Sequence, residues 1–141
     1  MTAPAAAKSH LENRRLLPLA LTGGVIGAVI NAVIALIAPA LIGGPVQVSQ
    51  PGSTALQDLP LIAVIAASLI PAFVAALVLY LLGRFTKAPI QIFQITAGVL
   101  TFLSLFSPFA IPTSLGAQLT LCLMHLVAAA SITLALSRAK A

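Results

Sequence analysis

Few residues in the apolar stretches of this sequence can do chemistry, and one stands apart. His125 sits near the middle of the run LTLCLMHLVAAASITLAL, residues 119–136. An ionisable ring at the centre of a bilayer-length apolar run is rare, and it usually faces other helices or a cavity. Gln118, Cys122, His125 and Ala129 follow one another at intervals of four, three and four, which places them on one helix face. An unpaired ring donor in a medium without water is costly. The expected partners of a neutral His125 imidazole are therefore Asn31, a Ser or Thr of the third span (Ser104 being nearest by depth), or a backbone carbonyl freed by Pro71. Asn31, Ser104, Gln118, Cys122 and His125 form the candidate polar cluster, for ligand binding or for helix packing. His125 is also the one candidate cofactor-binding residue, as a single axial ligand to haem or to a chlorophyll-type magnesium.

The remaining polar groups within the apolar runs are Thr22, Ser68, Thr96, Thr101, Thr120, Ser131 and Thr133, with no Asp, Glu, Lys or Arg well inside any of them. That removes several chemistries. Exchange of protons for a substrate uses a carboxylate embedded in the membrane, yet both acids, Glu12 and Asp58, lie outside the runs. The same two acids cannot make a carboxylate pair or complete a Ser-His-Asp triad at mid-membrane. Cys122 and His125 share a face but are too few for a tetrahedral zinc site. One cysteine cannot make an internal disulfide or a redox pair. His10 lies at the wrong depth to be a second axial imidazole. No catalytic residue, metal or resident cofactor is assigned, and a non-enzymatic protein is expected.

The elements that must hold His125 are helices. Hydrophobic residues make up 60% of the 141 and charged residues only 6%, whereas soluble domains carry about 25% charged residues. The mean hydropathy is +1.15. Four apolar spans are read, at about 16–42, 59–83, 89–107 and 114–137, in one membrane domain over 1–141. The first run is far longer than the roughly 7–15 residues of a signal-peptide core. Ser9 and Glu12 fit a capping box at its start, and Pro39 is the expected bend near its end. Gly43-Gly44-Pro45 stops that helix, and Pro51-Gly52 marks a turn in the 43–58 linker. Val46-Gln47-Val48 alternates too briefly to define a strand. Asp58 is expected to cap the second span, and Pro71 to kink it.

All seven basic residues, Lys8, Arg14, Arg15, Arg84, Lys87, Arg138 and Lys140, fall on one side of a four-crossing path, and segments 43–58 and 107–114 have none. The net charge of +5 therefore reads as membrane orientation rather than a nucleic-acid footprint. By the positive-inside rule both termini are cytoplasmic and 43–58 is an extracytoplasmic linker. The fold expected is all-α, an up-down-up-down bundle of four transmembrane helices.

The first span carries Gly23, Gly27, Asn31 and Ala35 every four residues, with Gly24, Ala28 and Ala32 beside them. Small residues on one stripe let helix backbones approach closely. Packing inside the protein's own bundle is favoured over a dimer face.

Asn31, the Ser-x-x-Ser-Pro of Ser104, Ser107 and Pro108, and Met124-His125 together resemble an uncharacterised family of small bacterial four-helix membrane proteins, filed as a domain of unknown function. The resemblance covers roughly residues 15–138. It implies a multi-pass protein of a bacterial plasma membrane and draws notice to Asn31 and His125, but it brings no activity. The leading functional reading is a small accessory or ligand-binding subunit. Its partners would be the lipid bilayer and either further copies of the chain or a larger membrane complex. The alternatives are a transporter or channel for a small neutral or lipophilic molecule, and a cofactor protein using His125.

Overall fold

A computed structural model describes residues 11–49 and 55–139. Ser9 of the expected capping box and the Pro51-Gly52 turn lie outside them. Four long helices run in order: α1 (Asn13–Ile42), α2 (Leu61–Phe85), α3 (Pro89–Ser104) and α4 (Leu115–Leu136). Each is apolar and, with the 3-10 turn Ser107–Ala110 continuing α3, long enough to cross a membrane.

The helix ends follow local chemistry. Glu12 is the N-cap of α1 without a capping side-chain bond, and its carboxylate pairs with Arg15 at 3.1 Å instead. Helix α1 runs through Pro39 and ends at Gly43, whose φ of 74° is left-handed. Both Gly43 and Gly44 then turn their N–H groups back to the Pro39 carbonyl, a closure that glycine allows at no steric cost. Ser114 caps α4 by accepting from the Ala117 N–H at 3.2 Å.

The linker differs from expectation. Gln47–Ser49 (β1) and Leu56–Asp58 (β2) pair antiparallel, with Gln47 opposite Asp58. Asp58 is thus a strand residue, and the N-cap of α2 is Pro60. Three-residue strands leave too little alternation for a sequence pattern to reveal. The pairing exists because backbone groups left free beyond α1 need partners. Val46 inside this linker is buried beneath the hairpin.

The bundle is packed inside out relative to a soluble protein. Small residues line its helix crossings: Ala20, Ala28, Ala72, Ala76 and Ala117 are buried together with Gly23, Gly24, Gly27 and Ser68. Large side chains point outward, with Leu36 at 71%, Leu41 at 79% and Ile62 at 72% exposure. In water such a surface would be an aggregation liability, whereas in lipid it is the surface to be expected. Small residues are needed where α1 crosses its neighbours. A Cβ on Gly23 would stand 2.9 Å from both the Ala135 Cβ and the Ser131 carbonyl oxygen of α4. A Cβ on Gly24 would stand 3.0 Å from the Ala72 Cβ of α2. The small-residue stripe is therefore spent inside the chain, on α4 and α2.

The two ends of the bundle differ. At one, the Glu12 N–H donates to the Ala139 carbonyl at 3.1 Å, and Gln94 donates to the Ser137 hydroxyl at 2.9 Å. Leu11 packs against Gly83 there as well. Arg14, Arg15, Arg84, Lys87 and Arg138 all belong to these segments. At the other end lie the hairpin, the 3-10 turn, and Gly116 against Ile42.

Helix α3 is the outlier. Its buried residues, Pro89, Ile90 and Phe93, all lie in its first turns, where Ile90 and Phe93 join Ala76, Leu79, Ile132 and Leu136 in one core cluster. Beyond them Val99, Leu100, Phe102 and Leu103 are exposed. Because α3 buries no side chain between Phe93 and its C-terminal end, a cleft is left between α2, α3 and α4 toward the hairpin.

Candidate functional site

The cleft encloses about 670 Å³. Asn31 of α1 contributes to its lining, as do Ala67 and Pro71 of α2, Thr101 and Ser104 of α3, and His125 of α4, while Val48 and Leu59 border it at the hairpin. Ala63, Ala67, Ile70, Pro71 and Leu100 are lining residues that are themselves exposed, so the cleft opens sideways between α2 and α3. Its wall is otherwise aliphatic, as pockets for lipophilic molecules are.

Asn31 is 3% exposed. Its Nδ2 donates to the Met124 carbonyl at 3.0 Å and to the Ser68 hydroxyl at 3.3 Å. A carbonyl can only accept, so the amide orientation is fixed by chemistry. Ser68 in turn donates to the Val64 carbonyl at 3.0 Å. Both Nδ2 hydrogens are thereby used, and Oδ1 is left buried with no partner. A buried acceptor without a donor is unusual enough to need a reason.

His125 is half-buried on the same cleft. Its Nδ1 lies 2.8 Å from the Leu121 carbonyl of its own helix. The oxygen accepts, so Nδ1 carries the proton, and in the neutral ring Nε2 keeps its lone pair. The expected pairing of His125 with Asn31, a Ser or Thr of α3, or a carbonyl freed by Pro71 is replaced by this local bond. The reason is proximity: the carbonyl one turn back is always within reach of a helical side chain that bends toward it. Asn31 meets the backbone beside His125 instead of the ring.

Ser104 lines the cleft, and its hydroxyl donates to the Thr101 carbonyl at 2.7 Å. Thr101 also lines it, donating to the Ala97 carbonyl at 2.7 Å. Gln118 and Cys122 do not join this group. Gln118 Nε2 donates to the Ile111 carbonyl at 3.0 Å, and Cys122 Sγ contacts the Leu105 carbonyl at 3.5 Å. Those two side chains tie α4 to the connector after α3. A shared helix face did not make one cluster, because the upper part of that face is covered by the connector. Among the described residues no three His, Cys, Asp or Glu side chains are grouped to hold a metal ion.

Ser68 completes the site, as a partner of Asn31, without having been singled out in it. Its signal in the sequence was depth alone, since it is a polar residue well inside its span.

The chain matches the family of unknown function DUF6069 over residues 12–141. It belongs to that family. The match takes in all four helices and the cleft, so the DUF6069 chain carries Asn31, Ser104 and His125 within the family region. No curated protein and no solved structure matches it.

Proposed function

We propose that this DUF6069 protein is a non-enzymatic integral membrane protein of a bacterial plasma membrane that binds a small neutral lipophilic molecule in the α2–α3–α4 cleft. In this reading it serves as an accessory or ligand-binding subunit. Its termini are cytoplasmic, as the grouping of basic residues on one side of the path supports. The observation that carries the reading is the cleft itself. It is a sideways-opening, aliphatic space of about 670 Å³, with the half-buried His125 imidazole and the side chains of Thr101 and Ser104 among its lining. A lipophile dissolved in the bilayer would reach such a site without crossing water.

The test is native mass spectrometry of the full chain released from nanodiscs, with solvent extraction of the same sample. A stoichiometric organic adduct that is lost when Ala67 is widened to Trp supports the reading. A bare chain that also fails to take up any added lipophile counts against it. A coloured preparation would turn attention to axial ligation through His125 Nε2.

A further inference from the structure

The polar groups on the cleft share a property that narrows its ligand. Four polar side chains line it: Asn31, Thr101, Ser104 and His125. Every hydrogen-bond donor they own is already spent on the protein. Asn31 Nδ2 uses both hydrogens on Met124 and Ser68, His125 Nδ1 serves Leu121, Ser104 serves Thr101, and Thr101 serves Ala97. What is left facing the cleft is acceptors: His125 Nε2 in the neutral ring and lone pairs on both hydroxyl oxygens, while Asn31 Oδ1 is itself buried. Pro71 adds to this set, because it has no N–H and leaves the Ala67 carbonyl without its donor one turn on. Ala67 and Pro71 both line the same cleft.

A site with acceptors unmet and donors used up discriminates by what a ligand can give. We propose that the cleft binds an uncharged lipophile whose polar end carries an O–H donor, an alcohol, phenol or hydroquinone, in preference to the matching ether, ketone or quinone. This inference rests on the ligand-binding reading above and adds the ligand's chemistry to it. An ether or ketone brings further lone pairs to meet His125 Nε2 and the hydroxyl oxygens, and it leaves them unsatisfied where bulk water does not reach. A cationic donor is disfavoured for a different reason. Among the described residues no carboxylate lines the cleft, so an ammonium or metal ion would enter low dielectric without a counter-charge. Neutral donors meet neither cost.

The experiment compares a long-chain alkylphenol with its methyl ether, nearly identical in size and apolar area, on the wild-type chain in nanodiscs. Calorimetric titration is corrected by titration of empty nanodiscs, which removes simple partition. The phenol is expected to bind about tenfold tighter than the ether, the worth of roughly one well-made hydrogen bond. His125→Leu should reduce that preference and leave the affinity for the ether nearly unchanged. Should that variant fail to fold, Ser104→Ala removes another acceptor at a position whose hydroxyl donates within its own helix, to the Thr101 carbonyl. Equal affinity of phenol and ether for the wild type overturns the donor preference while leaving ligand binding in place. Binding of neither compound overturns the ligand-binding reading, and this inference with it. A preference for the phenol that persists undiminished in both variants overturns the assignment to this cleft.

Discussion

The Asn31 amide nitrogen donates to the carbonyl oxygen of Met124 at 3.0 Å, one residue before His125. This contact ties α1 to α4 at the level of the cleft, and the same amide reaches Ser68 on α2. Asn31 thus bonds to both helices that pack on α1. Its depth in an apolar span is accounted for by what it holds together.

Asn31→Leu should lower stability by about 1 kcal/mol, since membrane hydrogen bonds average roughly 0.6 kcal/mol each and two are lost. Asn31→Asp should cost more. A carboxylate cannot donate to the Met124 carbonyl and would set oxygen against oxygen in low dielectric. Unfolding midpoints in SDS–detergent mixtures measure both. Equal stability of wild type and Asn31→Asp would mean that this amide is not the tie described.

The glycines of the chain should respond to substitution by place rather than by type. Gly23→Ala sets a methyl 2.9 Å from the Ala135 Cβ and from the Ser131 carbonyl oxygen, and backbone cannot step aside cheaply. The expected loss is about 1–3 kcal/mol, the usual range for overpacking. Gly27→Ala meets nothing nearer than 3.4 Å and Gly98→Ala nothing within 4 Å. Both should fold at wild-type yield, while Gly27→Leu should not. Monodisperse yield and thermal midpoint in mild detergent are the readouts.

How far these features were legible in the sequence depended on the range of the interactions behind them. The four helices were, because apolar length and breaking residues such as Gly43, Pro89 and Pro108 act locally. So was the small-residue face of α1, because close helix crossings demand Gly23 and Gly24 whatever their partner. The hairpin was missed since Gln47–Ser49 and Leu56–Asp58 are three residues each, too short for a period of two to declare itself. Asp58 was misread as a cap for the same reason: its neighbour across the hairpin is Gln47, which only the fold reveals. At the site, Asn31, Ser104 and His125 do share one cleft, but their bonds go to backbone carbonyls. Every residue has a carbonyl, so no sequence pattern marks Met124 or Leu121 as the acceptor. Gln118 and Cys122 left the cluster because the connector after α3 folds over them, and helical spacing says nothing about what covers a face.

The orientation proposed from the basic residues makes a direct prediction. In a Cys122→Ala background, cysteines at Leu56 and Thr86 should label from opposite sides of intact cells with a membrane-impermeant maleimide. Leu56 should react from outside and Thr86 only after permeabilisation. Reaction of both from outside would remove the cytoplasmic assignment of the termini and of Arg84 and Lys87.

The tautomer of His125 is the most direct check on the cleft. The Leu121 carbonyl oxygen stands 2.8 Å from Nδ1 and can only accept, so the proton must be on Nδ1. Nitrogen-15 NMR separates the two ring nitrogens, and His10→Gln leaves His125 as the only histidine in the chain. The expected spectrum has a pyrrole-type Nδ1 and a pyridine-type Nε2. Addition of the alkylphenol should then shift the Nε2 resonance upfield as its lone pair accepts a hydrogen bond, and the methyl ether should leave it in place. A proton found on Nε2 would reverse the argument. Nδ1 could no longer donate to Leu121, the cleft would own a free donor, and its preference would run toward ethers and quinones.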